Sequence, residues 1–384
     1  MSLRRAIRLA LLITFAQLAF ALVLAPWGGG FPYLKLNNWD SQHYLDIAAH
    51  GYHIPSRPMT SEDLHTDAAN VVFFPGYPVL ARNFGRLSGM PIEYSLLFVA
   101  QLAAWAFWTY FLLLLGERGV TEARALRCAL LVASYPSAFF MMTGYSESLF
   151  LAGLLGFIFW SYRAARPGRD WMAWVLAAIH GFGMTLTRIV GLFVSAYPVI
   201  RLRRISGFGI AAAGALGVAV FFAFLKLRFG MWDLYFKAEQ IGWSTHPVYW
   251  AILDPRSYIP HFFFEDTIDS ISRASVAVTA ILFAWIIRVE WRLRERSAWS
   301  RWGVLFAALS MFYVALSSKA PAKMDSMIRY TLPVFVLQIL LLAETGALPV
   351  SAARGLWWRR AGLGFLWALQ AWMVYRFTRG HWVA

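Results

Sequence analysis

The segment Trp39-Asp40-Ser41-Gln42-His43-Tyr44 sets a carboxylate, an imidazole and a phenol just past the end of the first apolar stretch. A carboxylate where a chain leaves a bilayer is costly to keep, so it marks a functional site by default. Partly desolvated and beside a histidine, Asp40 can accept a proton from an attacking hydroxyl. It could equally hold a cation or a sugar hydroxyl, or serve only as a capping carboxylate next to an interfacial tryptophan. His43 either orients Asp40, contacts a ligand, or is a solvated interfacial imidazole.

Residues 41–50 read as a short amphipathic helix lying in the membrane interface, with Ser41 as its N-cap and Gly51 as its stop. Tyr44, Leu45, Ile47 and Ala48 supply the apolar face. If that helix starts near residue 40, Asp40, His43 and Tyr44 share one side and Asp46 is displaced from it. A second block, 71–78, carries Phe74 and two prolines, Pro75 and Pro78, around Gly76, which force a defined turn.

Further along, Glu147 follows Tyr145 and Ser146 at the start of an apolar stretch. It is either a sugar ligand or an acid favoured by the helix dipole. Arg188 lies between two weak stretches, either as a phosphate ligand or as a topology-setting charge. Lys237, Gln240 and Trp243 can share a helix face, and Trp39 and Trp243 could stack on a sugar ring. Arg329 and Tyr330 sit at a span end, where a lipid phosphate would lie. Asp40, Asp46, Asp63 and Asp67 could form an oxygen site for a divalent cation, though their spacing is not diagnostic. His180, inside an apolar stretch, reads as a bond to a neighbouring helix. Cys128 reads as a small buried hydrophobe, and 376–379 as a solvated end.

These residues need a membrane body to position them. Hydrophobic residues make up 59% of the 384 and charged ones 14%, against about a quarter charged in soluble domains. The pI is 10.2, but the basic residues are scattered between apolar stretches, so a nucleic-acid surface is excluded. Crossing about 30 Å of hydrocarbon takes roughly 20 residues. Eleven stretches qualify: 6–26, 93–115, 124–142, 145–162, 171–187, 189–201, 207–229, 271–291, 302–317, 330–348 and 361–377. The fifth and sixth abut at Arg188. The first reads as an uncleaved anchor, because its apolar run exceeds a usual signal peptide's and lacks a small-residue cleavage site.

With the N-terminus inside, 20 of the 35 basic residues but only 6 of the 20 acidic ones fall on one side, as the positive-inside rule requires. The turns 163–170 and 201–206 are the cleanest markers. Residues 27–92 and 230–270 are then long outer loops, which in such proteins are often functional. Without repeats or linkers, 1–384 reads as a single integral-membrane domain whose active-site face is built by those two loops.

The motifs WDSQHYLDIAAHGY, FFPGYP and YPSAFFMMTGYSESLF resemble, in order, those of the PIG-V (GPI mannosyltransferase) family and its prokaryotic relatives. TRIVGL at 187–192, RFGMWDLYFKAEQIGW and MIRYTLPVF resemble its later blocks, with Ile189-Val190 departing from the family pattern. The resemblance implies an all-α GT-C glycosyltransferase with its site on the outer or lumenal face. It implies transfer of mannose from a polyprenyl phosphate, without a nucleotide sugar or other cofactor, to a lipid-linked, glycan or protein acceptor. Inversion would give an α-mannoside. Asp40 matches the family's first-loop catalytic base. The competing readings are a non-catalytic subunit of a membrane glycosyltransferase and a flippase for lipid-linked sugars. The expected location is a bacterial cytoplasmic membrane with the site facing outside, or an ER membrane with a lumenal site.

Overall fold

The structure, a computed structural model, describes every residue except 29, 55–68, 167–169, 203–204, 263–266, 294–298, 320–323 and 346–355. The described residues form helices and no strand. In chain order these are α1 (Leu3–Leu24), α2 (Asp40–His50), α3 (Gly76–Ser88), α4 (Ile92–Glu117), α5 (Glu122–Ala133) and α6 (Glu147–Ala164). Then come α7 (Trp171–Thr187), α8 (Gly191–Val194), α9 (Tyr197–Leu202), α10 (Ile205–Phe229) and α11 (Leu234–Gly242). The remainder are α12 (Thr267–Leu293), α13 (Trp299–Lys319), α14 (Met327–Tyr330), α15 (Leu332–Thr345) and α16 (Leu356–Phe377).

Among the described residues six helices are long and apolar enough to cross a bilayer alone: 3–24, 92–117, 207–229, 267–292, 301–319 and 327–344. The chain is a multi-pass membrane protein. The expected span 124–142 is instead α5 followed by a 3-10 turn, Pro136–Met142, bent 92° from it. Pro136 has no N–H to continue the helix. The expected span 189–201 is corrected to two pieces, α8 and α9, each far shorter than a bilayer is thick. The 145–162 stretch is α6, Glu147–Ala164, and 171–187 is the 17-residue α7.

Packing follows small residues. The buried stripe of α1 is Ala6, Ala10, Thr14, Gln17 and Ala21, and it lies against α4. Trp108 donates to Gln17 across that seam at 2.7 Å. α6 packs on α4 and α7, and α7 on α10. Between these helices Tyr110 and His180 are hydrogen-bonded at 2.8 Å. Cys128 is buried and free.

Ion pairs stand at both ends of the bundle. At one end arginines pair with glutamates: Arg118 with Glu344, Arg166 with Glu117, and Arg5 with Glu122 at 2.8 Å. The sequence markers Arg169, Arg203, Arg204, Arg294, Arg296 and Arg354 lie outside the described residues. At the other end stand α2, α3 and α11. The stretch 376–379 is not a solvated end: Phe377 and Thr378 are buried at 0% and 2% exposure, as are Val383 and Ala384 beyond them.

Candidate active site

The site begins with a turn. Asn38, Trp39, Asp40 and Ser41 reverse the chain, and the Ser41 amide donates to the Asn38 carbonyl at 3.2 Å. Trp39 has φ 56° and ψ −122°, the first central position of a type II′ turn, where glycine is usual. A bulky residue there costs on the order of 1–3 kcal/mol and persists only when its surroundings over-determine it. They do. The Asn38 amide group donates to the carbonyls of Lys35 and Phe377, each at 2.9 Å. The Asp40 amide donates to the Tyr145 hydroxyl at 3.2 Å. The Trp39 indole meets Trp382 edge to face at 5.5 Å. The helix α2 therefore starts at Asp40, and Ser41 is a buried first-turn residue rather than its cap.

That turn aims Asp40 at a chain of charges. Arg329 Nη1 donates to Asp40 Oδ2 at 2.8 Å. Arg329 Nε stands 3.3 Å from Glu147 Oε1, and Arg188 Nη1 donates to the same Oε1 at 2.9 Å. The side chains of Glu147 and Arg329 are 2% and 6% exposed, and those of Arg188 and Asp40 17% and 19%. Such burial is tolerable only because acids and bases alternate, Asp40, Arg329, Glu147, Arg188, with no net charge. Arg329 also lies over the Tyr145 ring at 5.1 Å and Arg188 over that of Tyr330 at 5.3 Å.

The elements suit these charges. Glu147 opens α6 and Arg188 follows the last turn of α7, so each meets the helix end whose dipole favours it. Gly144 lets the loop before α6 approach the first loop. A Cβ there would sit 2.1 Å from Asn37 Oδ1.

The chain of charges opens into a cavity of about 1370 Å³. Trp39, His43, Tyr44, Phe74, Tyr145, Glu147, Arg188, Gln240, Trp243, Arg329 and Tyr330 all line it with Asp40. His43 stacks on Phe73 at 4.5 Å, and Trp243 meets Phe73 edge-on at 5.9 Å. Tyr44 donates to Ser146 Oγ at 2.9 Å. Burial holds its phenol well above its ordinary pKa, so it stays a donor. Part of the lining is apolar, with Leu192, Phe193, Met311 and Ala315.

Two expected site residues fall outside. Lys237 turns to the surface and pairs with Asp233 at 2.9 Å. Pro75 caps α3 and does not line the cavity. Asp46 lies at the rim, bonded to Asn70 at 2.7 Å and His50 at 3.0 Å. Asp63 and Asp67 are outside the described residues. Among the described residues no three His, Cys, Asp or Glu side chains gather as a metal-binding group. Sequence reasoning missed Lys319, Asp325 and Trp382, all of which line the cavity. Lys319 and Trp382 stand in no motif and Asp325 just precedes one, and the fold brings them to the cavity that Asp40 lines.

No family model matches the chain, and no curated protein matches it. Solved structures do. ArnT from Cupriavidus metallidurans bound to undecaprenyl phosphate is 14% identical, with TM-score 0.56, covering 94% of this chain and 62% of that one. The Archaeoglobus fulgidus oligosaccharyltransferase in its apo form is 13% identical, with TM-score 0.50, covering 100% and 56%. The same enzyme with Zn and sulfate is 12% identical, with TM-score 0.51, covering 94% and 53%. The chain spans between half and two-thirds of the length of these proteins. Its fold is theirs, the GT-C fold of membrane glycosyltransferases.

Proposed function

We propose that this chain is a membrane glycosyltransferase that moves a sugar, mannose by the motif resemblance to the PIG-V family, from a polyprenyl phosphate to an acceptor hydroxyl. The observation that carries it is the Asp40–Arg329–Glu147–Arg188 chain of charges lining a cavity whose lining is also partly apolar. Asp40 offers the cavity a carboxylate whose Oδ2 is anchored by Arg329. Oδ1 is left to accept the proton of an acceptor hydroxyl as its oxygen bonds to the anomeric carbon. The bond from that carbon to the phosphate oxygen breaks on the opposite face, so the anomer inverts. The electron pair leaves with the polyprenyl phosphate.

The leaving phosphate gains charge in the transition state, and a fixed cation there lowers the barrier. Arg329 is already shared by two carboxylates and Arg188 by one. Arg188 therefore has the spare donors for phosphate, while Arg329 holds the base. The apolar wall of Leu192, Phe193, Met311 and Ala315 suits the first isoprene units of a lipid donor. His43, Phe73 and Trp243 offer ring faces to a sugar. The outer loops 27–92 and 230–270 form the active-site face, outside the bacterial cytoplasmic membrane.

The test is transfer of labelled mannose from polyprenyl-phosphate mannose in proteoliposomes, with crude lipid extract as the acceptor pool. Wild type transfers label and Asp40→Asn loses at least about 100-fold, the scale of a general base. Equal transfer by both removes Asp40 from the chemistry. Donor turnover by the purified chain alone separates an enzyme from a non-catalytic subunit.

A further inference from the structure

The last helix does not end the structural work of the chain. After Phe377 the backbone turns at Gly380, whose φ of 81° suits glycine, and whose amide donates to the Phe377 carbonyl at 3.0 Å. The turn returns the following residues to the bundle. Val383 and Ala384 are buried at 1% and 0% exposure. Trp382 is left at the cavity wall. Its indole meets Trp39 at 5.5 Å with the rings 69° apart, and the Arg329 guanidinium lies 5.8 Å from its ring. Upstream, the Phe377 carbonyl accepts from Asn38 at 2.9 Å. The Phe377 ring packs on Tyr145 at 5.8 Å, and Tyr145 accepts the Asp40 amide.

Thus residues 377–384 touch the residues around Asp40: Asn38 and Trp39 before it, Tyr145 beside it and Arg329, its ion-pair partner. Trp39 is also the residue held at positive φ. A strained turn that fixes a functional side chain needs an outside brace. A long chain detour that delivers an aromatic ring to that turn has an evident use.

We propose that the segment 377–384 is a positioning element for Asp40. Trp382 and the Phe377 carbonyl clamp the Asn38–Trp39 turn, and through it they set the direction of the Asp40 carboxylate and of its partner Arg329. The inference rests on the role proposed above for Asp40. It assigns no contact between Trp382 and the reacting atoms.

Trp382→Ala and Trp382→Phe, made in the full chain, test it with two readouts. The first is amide hydrogen exchange over residues 38–42, which needs no substrate. Exchange there rises at least about 10-fold in Trp382→Ala and stays near wild type in Trp382→Phe, while α6 and α7 keep their protection. Unchanged exchange at 38–42 overturns the clamp. The second readout is sugar transfer. A carboxylate misplaced by about an ångström loses on the order of 100-fold in kcat, with KM for the lipid donor within about 3-fold, since Trp382→Ala leaves Arg188 and the apolar wall intact. Faster exchange with an unaltered kcat overturns the link to Asp40. Faster exchange in Trp382→Ala, alongside a wild type that transfers no sugar from any donor, supports the clamp and defeats the proposed function instead.

Discussion

At the scale of single residues, Glu147 decides how the site is held. Within the quartet it is the acid that two arginines share, with its side chain 2% exposed. Glu147→Gln keeps the shape and removes the charge, leaving two buried cations against Asp40 alone. Breaking such a pair costs about 3–5 kcal/mol, read as a lowered midpoint of thermal unfolding in detergent. The same change leaves Arg188 without its carboxylate. Added polyprenyl phosphate then raises the midpoint by more in Glu147→Gln than in wild type. An equal rise in both would place the phosphate away from Arg188. The residue types of this quartet are legible in the sequence, because each stands in a motif at a span end. Their pairing is not, since Asp40 and Arg329 are 289 positions apart. Lys237 shows the opposite error. Gln240 and Trp243 line the cavity, but Lys237 does not, and Asp233 one turn earlier captures its charge at 2.9 Å.

At the scale of elements, the junction of α3 and α7 ties the FFPGYP motif to the site. A Cβ on Gly76 would come within 2.8 Å of both the Leu186 carbonyl oxygen and Thr187 Oγ1. The first is backbone and cannot swing away. Gly76→Ala must push the end of α7 outward, and with it Arg188, the next residue. We expect a loss of about 1–3 kcal/mol, the usual cost of overpacking, and a weaker midpoint rise with polyprenyl phosphate than in wild type. Lower stability with a full phosphate response would mean that α7 relaxes without moving Arg188. The long spans were readable because about 20 apolar residues in a row have few alternatives. The breaks were not, because hydropathy alone does not register them. Pro136 in 124–142 and Pro198 in 189–201 were the available signs. The 3-10 turn at Pro136–Met142 is buried throughout.

At the scale of the whole molecule, the question is which side of the membrane the cavity faces. The pairs Arg118–Glu344, Arg166–Glu117 and Arg5–Glu122 lie at one end of the bundle and the cavity at the other, and the charge asymmetry of the sequence leads us to expect the first end in the cytoplasm. The chain offers a direct test, because its single cysteine, Cys128, is buried. Cys128→Ala then gives a background for one added thiol. Trp250, in the stretch 230–270, is 77% exposed, and the Arg166 side chain beyond α6 is 46% exposed. In intact cells a membrane-impermeant maleimide should label Trp250→Cys and spare Arg166→Cys until the membrane is opened. The reverse pattern would put the cavity in the cytoplasm, where nucleotide sugars are the available donors. Asp40 and its arginines would then serve a different substrate on the same fold. Labelling of the outer position therefore bears on more than topology. It separates a lipid-linked donor, which must reach the site from within the bilayer on the far side, from one that diffuses to it in water.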